Sequence, residues 1–139
     1  MSRENVEIVR ATFEAFNRGG IEAALSYFDP EVEWLGPPEW LEEHLYKGHD
    51  GMRRIAGVWG ENFDEYRLDL EKLIEVGDEL LVLVYQRGRI KGSGDMIEQP
   101  IGYEWYVRDG RTVRVQVHFS WEAALEAVGL SERDAHLES

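Results

Sequence analysis

The sequence contains no cysteine. Disulfide bonds, thiolate catalysis and cysteine-based zinc sites are therefore excluded. Long apolar runs are missing as well: the longest covers Leu80 to Tyr85, whereas a membrane-spanning helix needs about 20 apolar residues. The amino terminus, MSRENVE, has no basic segment leading into an apolar one. We therefore expect a cytoplasmic protein with no membrane association.

Basic residues are also few. The 15 lysines and arginines are scattered among 28 acidic residues, which gives a net charge of −13 at pH 7. Because nucleic-acid binding needs a basic face, we expect no nucleic-acid partner. The length of 139 residues, with 43% hydrophobic and 31% charged residues, predicts one globular domain whose core is large enough to hold a cavity. We place this domain at residues 1–130 and expect the polar tail, 131–139, to be disordered.

The spacing of apolar residues predicts helices in the first half of the chain. Between Val6 and Phe16 they recur three and four residues apart, which is typical of an amphipathic helix. Gly19-Gly20 would end that helix. A second short helix is predicted from Ile21 to Phe28 and stops at Asp29-Pro30, because the residue before a proline is pushed out of the helical region. The same spacing from Met52 to Phe63 predicts a third helix.

Strands dominate the second half. A short strand is predicted at Val32 to Leu35, followed by a loop from Gly36 to Gly48. From Tyr66 onward apolar residues alternate, and the run Leu80 to Tyr85 is apolar on both faces, as in a central strand. Two further strands form a hairpin, at about 96–107 and 111–119, and a short helix follows from Trp121. This order predicts an α+β fold, in which helices cover one face of a curved antiparallel sheet.

The last hairpin has two possible registers. A two-residue Asp109-Gly110 loop would place Tyr103 on the face of Arg114, Gln116 and His118. A three-residue loop with a bulge at Gly110 would instead sort the apolar residues onto one face, namely Ile101, Tyr103, Trp105, Val107, Val113, Val115, Val117 and Phe119. We favour this second register. It leaves Glu104, Tyr106, Thr112, Arg114, Gln116 and His118 on the other face, with Glu104 opposite Arg114.

Several strings resemble a known family. The segments FNRGG, FDPEVEW, GHDG, GRIKGSG and YVRDGRTVRVQVHFSWEAALEAVGL resemble SnoaL-like proteins of the nuclear transport factor two superfamily, which includes ketosteroid isomerases and polyketide cyclases. The resemblance covers about Asn5 to Leu130. It implies a cone-shaped, partly mixed sheet that encloses a pocket with the helices, a homodimer formed through the outer sheet face, and no cofactor or metal.

The resemblance also shows where this sequence departs from the enzymes of the family. The base of ketosteroid isomerases follows a Val-Glu pair, and here the next residue is Trp34, which cannot accept a proton. The tyrosine donor falls near Thr12, a weaker donor. In polyketide cyclases an acid follows the last strand beside a histidine, whereas this sequence has Ser120 after His118. His118 is a candidate catalytic residue only if it faces the pocket.

Tyr103 is the strongest candidate for contact with a ligand, because it matches the strand position of the oxyanion-stabilising acid in ketosteroid isomerases. A buried phenol needs a hydrogen-bond partner, which a ligand oxygen, a backbone carbonyl or water could supply. The other predicted ligand-contacting residues are Trp34, Trp40, Tyr85, Trp105, Val115, Val117 and Phe119. Trp34 and Trp40 could equally be core residues. Of Tyr85 and Arg87, we expect one to face inward.

Three functions fit these residues. The first is an apolar pocket that binds a small lipophilic compound carrying oxygen. The second is a cofactor-independent isomerase, cyclase or dehydratase that uses Tyr103 as donor and His118 or an acid as base. The third is assembly with another protein through the polar outer face. The acids Glu39, Glu42 and Glu43 beside His44 match no metal-ligand spacing, so no metal site is predicted.

Overall fold

A computed structural model gives the fold and describes residues 2–37, 45–131 and 133. Its α-helices are α1 (Ser2–Ala24), α2 (Gly48–Asn62) and α3 (Trp121–Ala127), and a 3₁₀ helix spans Leu25–Tyr27. Its strands are β1 (Phe28–Leu35), β2 (Leu45–Lys47), β3 (Phe63–Val76), β4 (Glu79–Ile90), β5 (Met96–Arg108) and β6 (Arg111–His118). No helix in these described ranges is long and apolar enough to cross a membrane. All but residues 131 and 133 of the predicted tail lie outside the described residues.

The six strands form one mixed sheet in the order β2-β1-β6-β5-β4-β3. The β1 and β6 strands run parallel, and the other neighbours pair antiparallel. The predicted α+β class is therefore confirmed, with a mixed sheet. The strand β2 lies inside the segment predicted as a loop, and it pairs with the end of β1.

The helix break predicted at Gly19-Gly20 is present. Gly20 has φ 76° and ψ −167°, a conformation that interrupts α1 and that other residues rarely adopt. The segment after it is shorter than predicted, because helical structure ends at Tyr27 and β1 already begins at Phe28. Pro30 therefore lies within a strand, where the pairing between β1 and β6 is irregular and no amide hydrogen is needed.

The β5–β6 hairpin combines the two predicted registers. Its turn is the two-residue Asp109-Gly110 loop, with both residues at positive φ (53° and 78°), so the predicted three-residue loop is wrong. An extra residue at Val113 then shifts the pairing, which places Tyr103 opposite Val117 and Trp105 opposite Val115. The predicted apolar face is therefore correct at these four positions. This bulge also turns Thr112 inward, and Glu104 lies opposite Gln116 rather than Arg114.

The sheet is buried on both faces at β4. Leu80, Val82 and Val84 belong to the core cluster that includes Val9 and Phe13 of α1. The alternating residues Leu81 and Leu83 pack on the opposite face against Ala124 and Leu125 of α3. We call the face toward α1 the inner face and the face toward α3 the outer face. This arrangement explains why the sequence of β4 is apolar at consecutive positions.

The inward position of Thr112 has a measurable consequence for stability. The indole nitrogen of Trp105 donates a hydrogen bond of 2.7 Å to the Thr112 hydroxyl, and the two residues are 1% and 0% exposed. The nearly isosteric Thr112→Val variant leaves that N–H unpaired, so the free energy of unfolding should fall by about 1–3 kcal/mol. Urea denaturation would measure the change.

A double-mutant cycle separates the hydrogen bond from packing. In a Trp105→Phe background the indole N–H is absent, so Thr112→Val should be nearly neutral there. An equal loss in both backgrounds would contradict the assignment of the stability to this bond.

Candidate functional site

A cavity of about 80 Å³ lies between the inner face of the sheet and the helices. One water needs roughly 10–15 Å³ by a comparable measure, so the space is larger than a single solvent site. Helices α1 and α2 contribute residues such as Phe13, Ala56 and Trp59, and residues of all six strands form most of the rest of the wall. The cavity is therefore formed jointly by the two long helices and the sheet.

Aromatic rings form much of the wall. The ring of Trp34 lies 5.4 Å from that of Tyr103 and 5.9 Å from that of Trp105. Phe13 of α1 lies 5.4 Å from Trp105, and Phe28 lies 6.0 Å from it. These tilted and edge-to-face arrangements are the favoured ones for aromatic pairs. The predicted ligand-contacting residues Trp34, Tyr103 and Trp105 thus lie together in the cavity wall.

Two other predicted residues, Val117 and Phe119, also line the cavity. Val115 is fully buried on the same face but is not part of the lining. Trp40 lies outside the described residues. Trp34 is therefore both a packing residue and a wall residue, so the two interpretations of this tryptophan are compatible.

Tyr85 does not face the cavity, and the prediction that it would is wrong. Its ring packs on the outer face, 4.8 Å from that of Trp121 in α3. Arg87 lies over the same ring at 4.9 Å and binds Asp69 and Glu98. Because residues two apart in a strand share a face, Tyr85 and Arg87 had to lie on the same side. The expectation that one of them would point inward is corrected accordingly.

His118 likewise lies away from the cavity. Its Nε2 lies 2.8 Å from Oε2 of Glu104, and the side chain is absent from the cavity lining. The neighbouring Ser120, which stands where the cyclase resemblance implies an acid, accepts a hydrogen bond from the amide of Ala123 and caps α3. The predicted role of His118 as a catalytic residue is therefore not supported by its position.

Residues that sequence reasoning missed are Gln86 and Tyr66. Both line the cavity, and the amide nitrogen of Gln86 donates a 2.6 Å hydrogen bond to the Tyr66 hydroxyl. The signal was present in the sequence, since Gln86 follows Val82 and Val84 at the same spacing in a strand whose inner positions are otherwise apolar. A polar residue at such a position requires a partner.

Two of the tyrosines in the cavity wall, Tyr66 and Tyr103, are protonated at neutral pH. Burial raises the pKa of Tyr66 to about 12, against the lowering effect of its bond with Gln86. Burial, together with the nearby Tyr66, raises the pKa of Tyr103 well above its ordinary value. Both phenols can therefore donate a hydrogen bond to a ligand.

The chemistry of the described lining is otherwise neutral. None of the lining residues within 2–37 and 45–131 is an Asp, Glu, His, Lys or Arg. Thr12 donates its hydroxyl to the carbonyl of Ile8 in its own helix, at 2.7 Å. The described wall thus offers hydrogen-bond donors and acceptors but no general base.

No group of three or more His, Asp or Glu side chains is placed to hold a metal ion within the described part of the chain. The loop residues Glu39, Glu42, Glu43 and His44 lie outside the described residues.

The sequence model of the SnoaL-like domain matches residues 9–115. Uncharacterised proteins of Mycobacterium tuberculosis and Mycobacterium bovis are 27% identical to the chain over 124 residues. Each match covers 88% of this chain and 94% of the relative. The similarity therefore extends over nearly the whole length of both proteins.

Solved structures show the same fold. The crystal structure of TerC co-crystallised with polyporic acid has a TM-score of 0.72 and 25% identity, and the match covers 90% of this chain and 98% of that one. A putative SnoaL-like polyketide cyclase from Jannaschia sp. CCS1 has a TM-score of 0.72 and 19% identity, with 91% and 92% covered. A protein from Catenulispora acidiphila with a ketosteroid isomerase-like fold, in complex with trimethylamine, has a TM-score of 0.70 and 17% identity. The match covers 91% of this chain and 95% of that one.

Proposed function

The chain belongs to the SnoaL-like domain family, with the fold of nuclear transport factor two, and we propose that its cavity binds a small lipophilic compound that carries at least one oxygen. The observation that carries this proposal is the composition of the described wall. Aromatic and aliphatic side chains form most of it, and its hydrogen-bonding groups are the neutral side chains of tyrosine, threonine, tryptophan and glutamine. An apolar cavity with a few polar groups is typical of small-molecule sites.

Binding without turnover fits this wall better than catalysis does. Isomerisation, cyclisation or dehydration needs a group that takes up a proton, and the described lining has no carboxylate or imidazole. Trp34 stands where the resemblance implies the base, and it contributes apolar surface instead. The co-crystallisation of TerC with polyporic acid supports a small organic molecule as the occupant of this cavity. The homodimer and the cytoplasmic location stay predictions.

Tyr103→Phe tests the proposal. The phenol should donate to an acceptor oxygen of the ligand, so its loss should weaken binding of a ketone such as acetophenone about tenfold, which corresponds to one hydrogen bond of about 1.4 kcal/mol. Quenching of tryptophan fluorescence would report binding, because Trp34, Trp59 and Trp105 line the cavity.

Tyr85→Phe is the matched control, because it removes the same hydroxyl group from the outer face. It should leave acetophenone binding unchanged. Equal effects of the two variants would contradict a ligand contact at Tyr103. Native mass spectrometry of the purified protein, followed by extraction, would show whether a compound travels with the chain, and assays of that compound would show whether it is converted.

A further inference from the structure

Gln86 is a polar side chain in an apolar environment. It is 3% exposed and lies on the inner face of β4, where Val82 and Val84 occupy the preceding inner positions and are fully buried. A leucine or methionine would pack here without a hydrogen-bonding requirement. The presence of an amide therefore needs an explanation beyond packing.

The hydrogen bonds of this amide are only half satisfied. Its Nε2 donates to the Tyr66 hydroxyl at 2.6 Å, while its Oε1 is buried and has no hydrogen-bond partner among the described residues. The side-chain amide of Asn17 provides a contrast, because it both donates to and accepts from the backbone of Leu68, at 2.7 and 2.9 Å. Asn17 connects α1 to β3, whereas the amide oxygen of Gln86 accepts no hydrogen bond from the part of the chain that the structure describes. Buried polar groups of this kind are rare in native proteins and occur at functional sites.

We propose that Gln86 and Tyr66 form a polar contact within the cavity that holds a hydroxyl group of the ligand. This inference rests on the proposed function and specifies the chemical class of the ligand: an alcohol, phenol or enol on an apolar body. The ligand hydroxyl donates to Oε1 of Gln86 and accepts from the O–H of Tyr66. Because Nε2 already donates to Tyr66, the remaining Oε1 can only accept, so the ligand must supply a donor, and a hydroxyl group both donates and accepts at the same atom.

Charged ligands fit this contact less well. A carboxylate would face the carbonyl oxygen of Gln86, and no lysine or arginine lines the described wall to compensate its charge. An ammonium group would find no carboxylate in the same lining. The raised pKa of Tyr66, about 12, keeps its phenol available as a donor at neutral pH.

Calorimetric titration with two nearly isosteric probes tests the proposal. Benzyl alcohol and ethylbenzene differ in that a hydroxyl replaces a methyl group, and both present a single ring to the aromatic wall of the cavity. The quantity measured is the ratio of the two affinities in the wild-type protein and in Gln86→Met. Loss of the hydroxyl's acceptor should lower the relative affinity for benzyl alcohol about tenfold.

Tyr66→Phe provides a second variant, which retains the amide and removes the O–H that the ligand hydroxyl accepts from. It should lower the same ratio in the same direction. Benzaldehyde accepts a hydrogen bond but cannot donate one. Its affinity should therefore fall less in Gln86→Met than the affinity for benzyl alcohol does.

The outcomes separate the two proposals. If ethylbenzene binds but the ratio is the same in the wild type and both variants, the hydroxyl contact is overturned and the cavity remains a binding site. If Gln86→Met lowers the affinity for benzaldehyde as much as the affinity for benzyl alcohol, the ligand needs no donor. The assignment to hydroxyl compounds is then overturned. If the wild-type protein binds none of the three probes, the proposed function fails together with this inference.

Discussion

Replacing Gly102 with alanine is expected to lower the free energy of unfolding by about 3 kcal/mol, the upper part of the range for overpacked interiors. Gly102 lies in β5 beneath α3, and a Cβ there would overlap the Cβ of Ala124 and contact Leu83 at 3.4 Å. The methyl group of Ala124 cannot rotate away, because it is fixed to the backbone of α3, which packs on the sheet. Relief therefore requires α3 to move off the outer face and expose part of the cluster of Leu81 and Leu83.

Two further variants make this expectation specific. Gly57→Ala changes a glycine in α2 that has nothing within 4 Å of the new Cβ, so it should stabilise the protein by about 0.5–1 kcal/mol through helix propensity. Adding Ala124→Gly to Gly102→Ala removes the overlapping methyl group and should recover part of the loss, although a helical glycine itself costs about 1 kcal/mol. Denaturant unfolding measures all three. Equal stabilities for Gly102→Ala and Gly57→Ala would contradict the close contact of α3 with the sheet.

The sequence predicted the fold wherever the signal was periodic. The helix from Val6 to Phe16 and the alternation on β5 and β6 follow from the burial of one face, which fixes the spacing of apolar residues. The strand β2 (Leu45–Lys47) was missed because its three residues are exposed or half-buried and carry no alternation. Its position depends on pairing with β1, which local sequence does not encode.

The hairpin turn shows a different limit. Separating apolar from polar residues onto two faces of the sheet correctly placed Tyr103 and Trp105 on the inner face. That criterion cannot locate the extra residue that brings about this separation. A bulge at Gly110 and a bulge at Val113 give the same faces for Trp105 and Val115. The structure has the second arrangement, with the Thr112 hydroxyl bonded to Trp105, a pairing between side chains that alternation alone would have separated.

The candidate site was predictable in part. A resemblance in sequence pointed to Tyr103 and Trp34, and both line the cavity. Gln86 was not among the predicted residues, although its spacing from Val82 and Val84 places it on the inner face, whereas Tyr85 and Arg87 share the outer face. A polar residue among the otherwise apolar inner positions of β4 was the stronger signal, since burial of an amide is unfavourable unless a partner is present.

Filling the cavity should affect binding more than any other single change considered. Ala56 lies on α2 in the cavity wall, and Ala56→Phe would direct a ring into the space that the ligand needs. The new ring gains roughly 1.5–3 kcal/mol from its own burial, and a ligand must displace it. Binding of ethylbenzene or acetophenone should therefore weaken about 10- to 100-fold, at one factor of ten for each 1.4 kcal/mol, as measured by calorimetry.

Val58→Phe is the matched control, because it introduces the same ring two residues away on a position that is 46% exposed. Binding should be unchanged in this variant. A ring that fills the cavity should leave the free energy of unfolding equal to or above that of the wild type, which denaturant unfolding of Ala56→Phe would measure. If Ala56→Phe folds and binds the probes as the wild type does, the ligand site lies outside this cavity. Assembly with another protein through the outer face would then be the better hypothesis for the function of this chain.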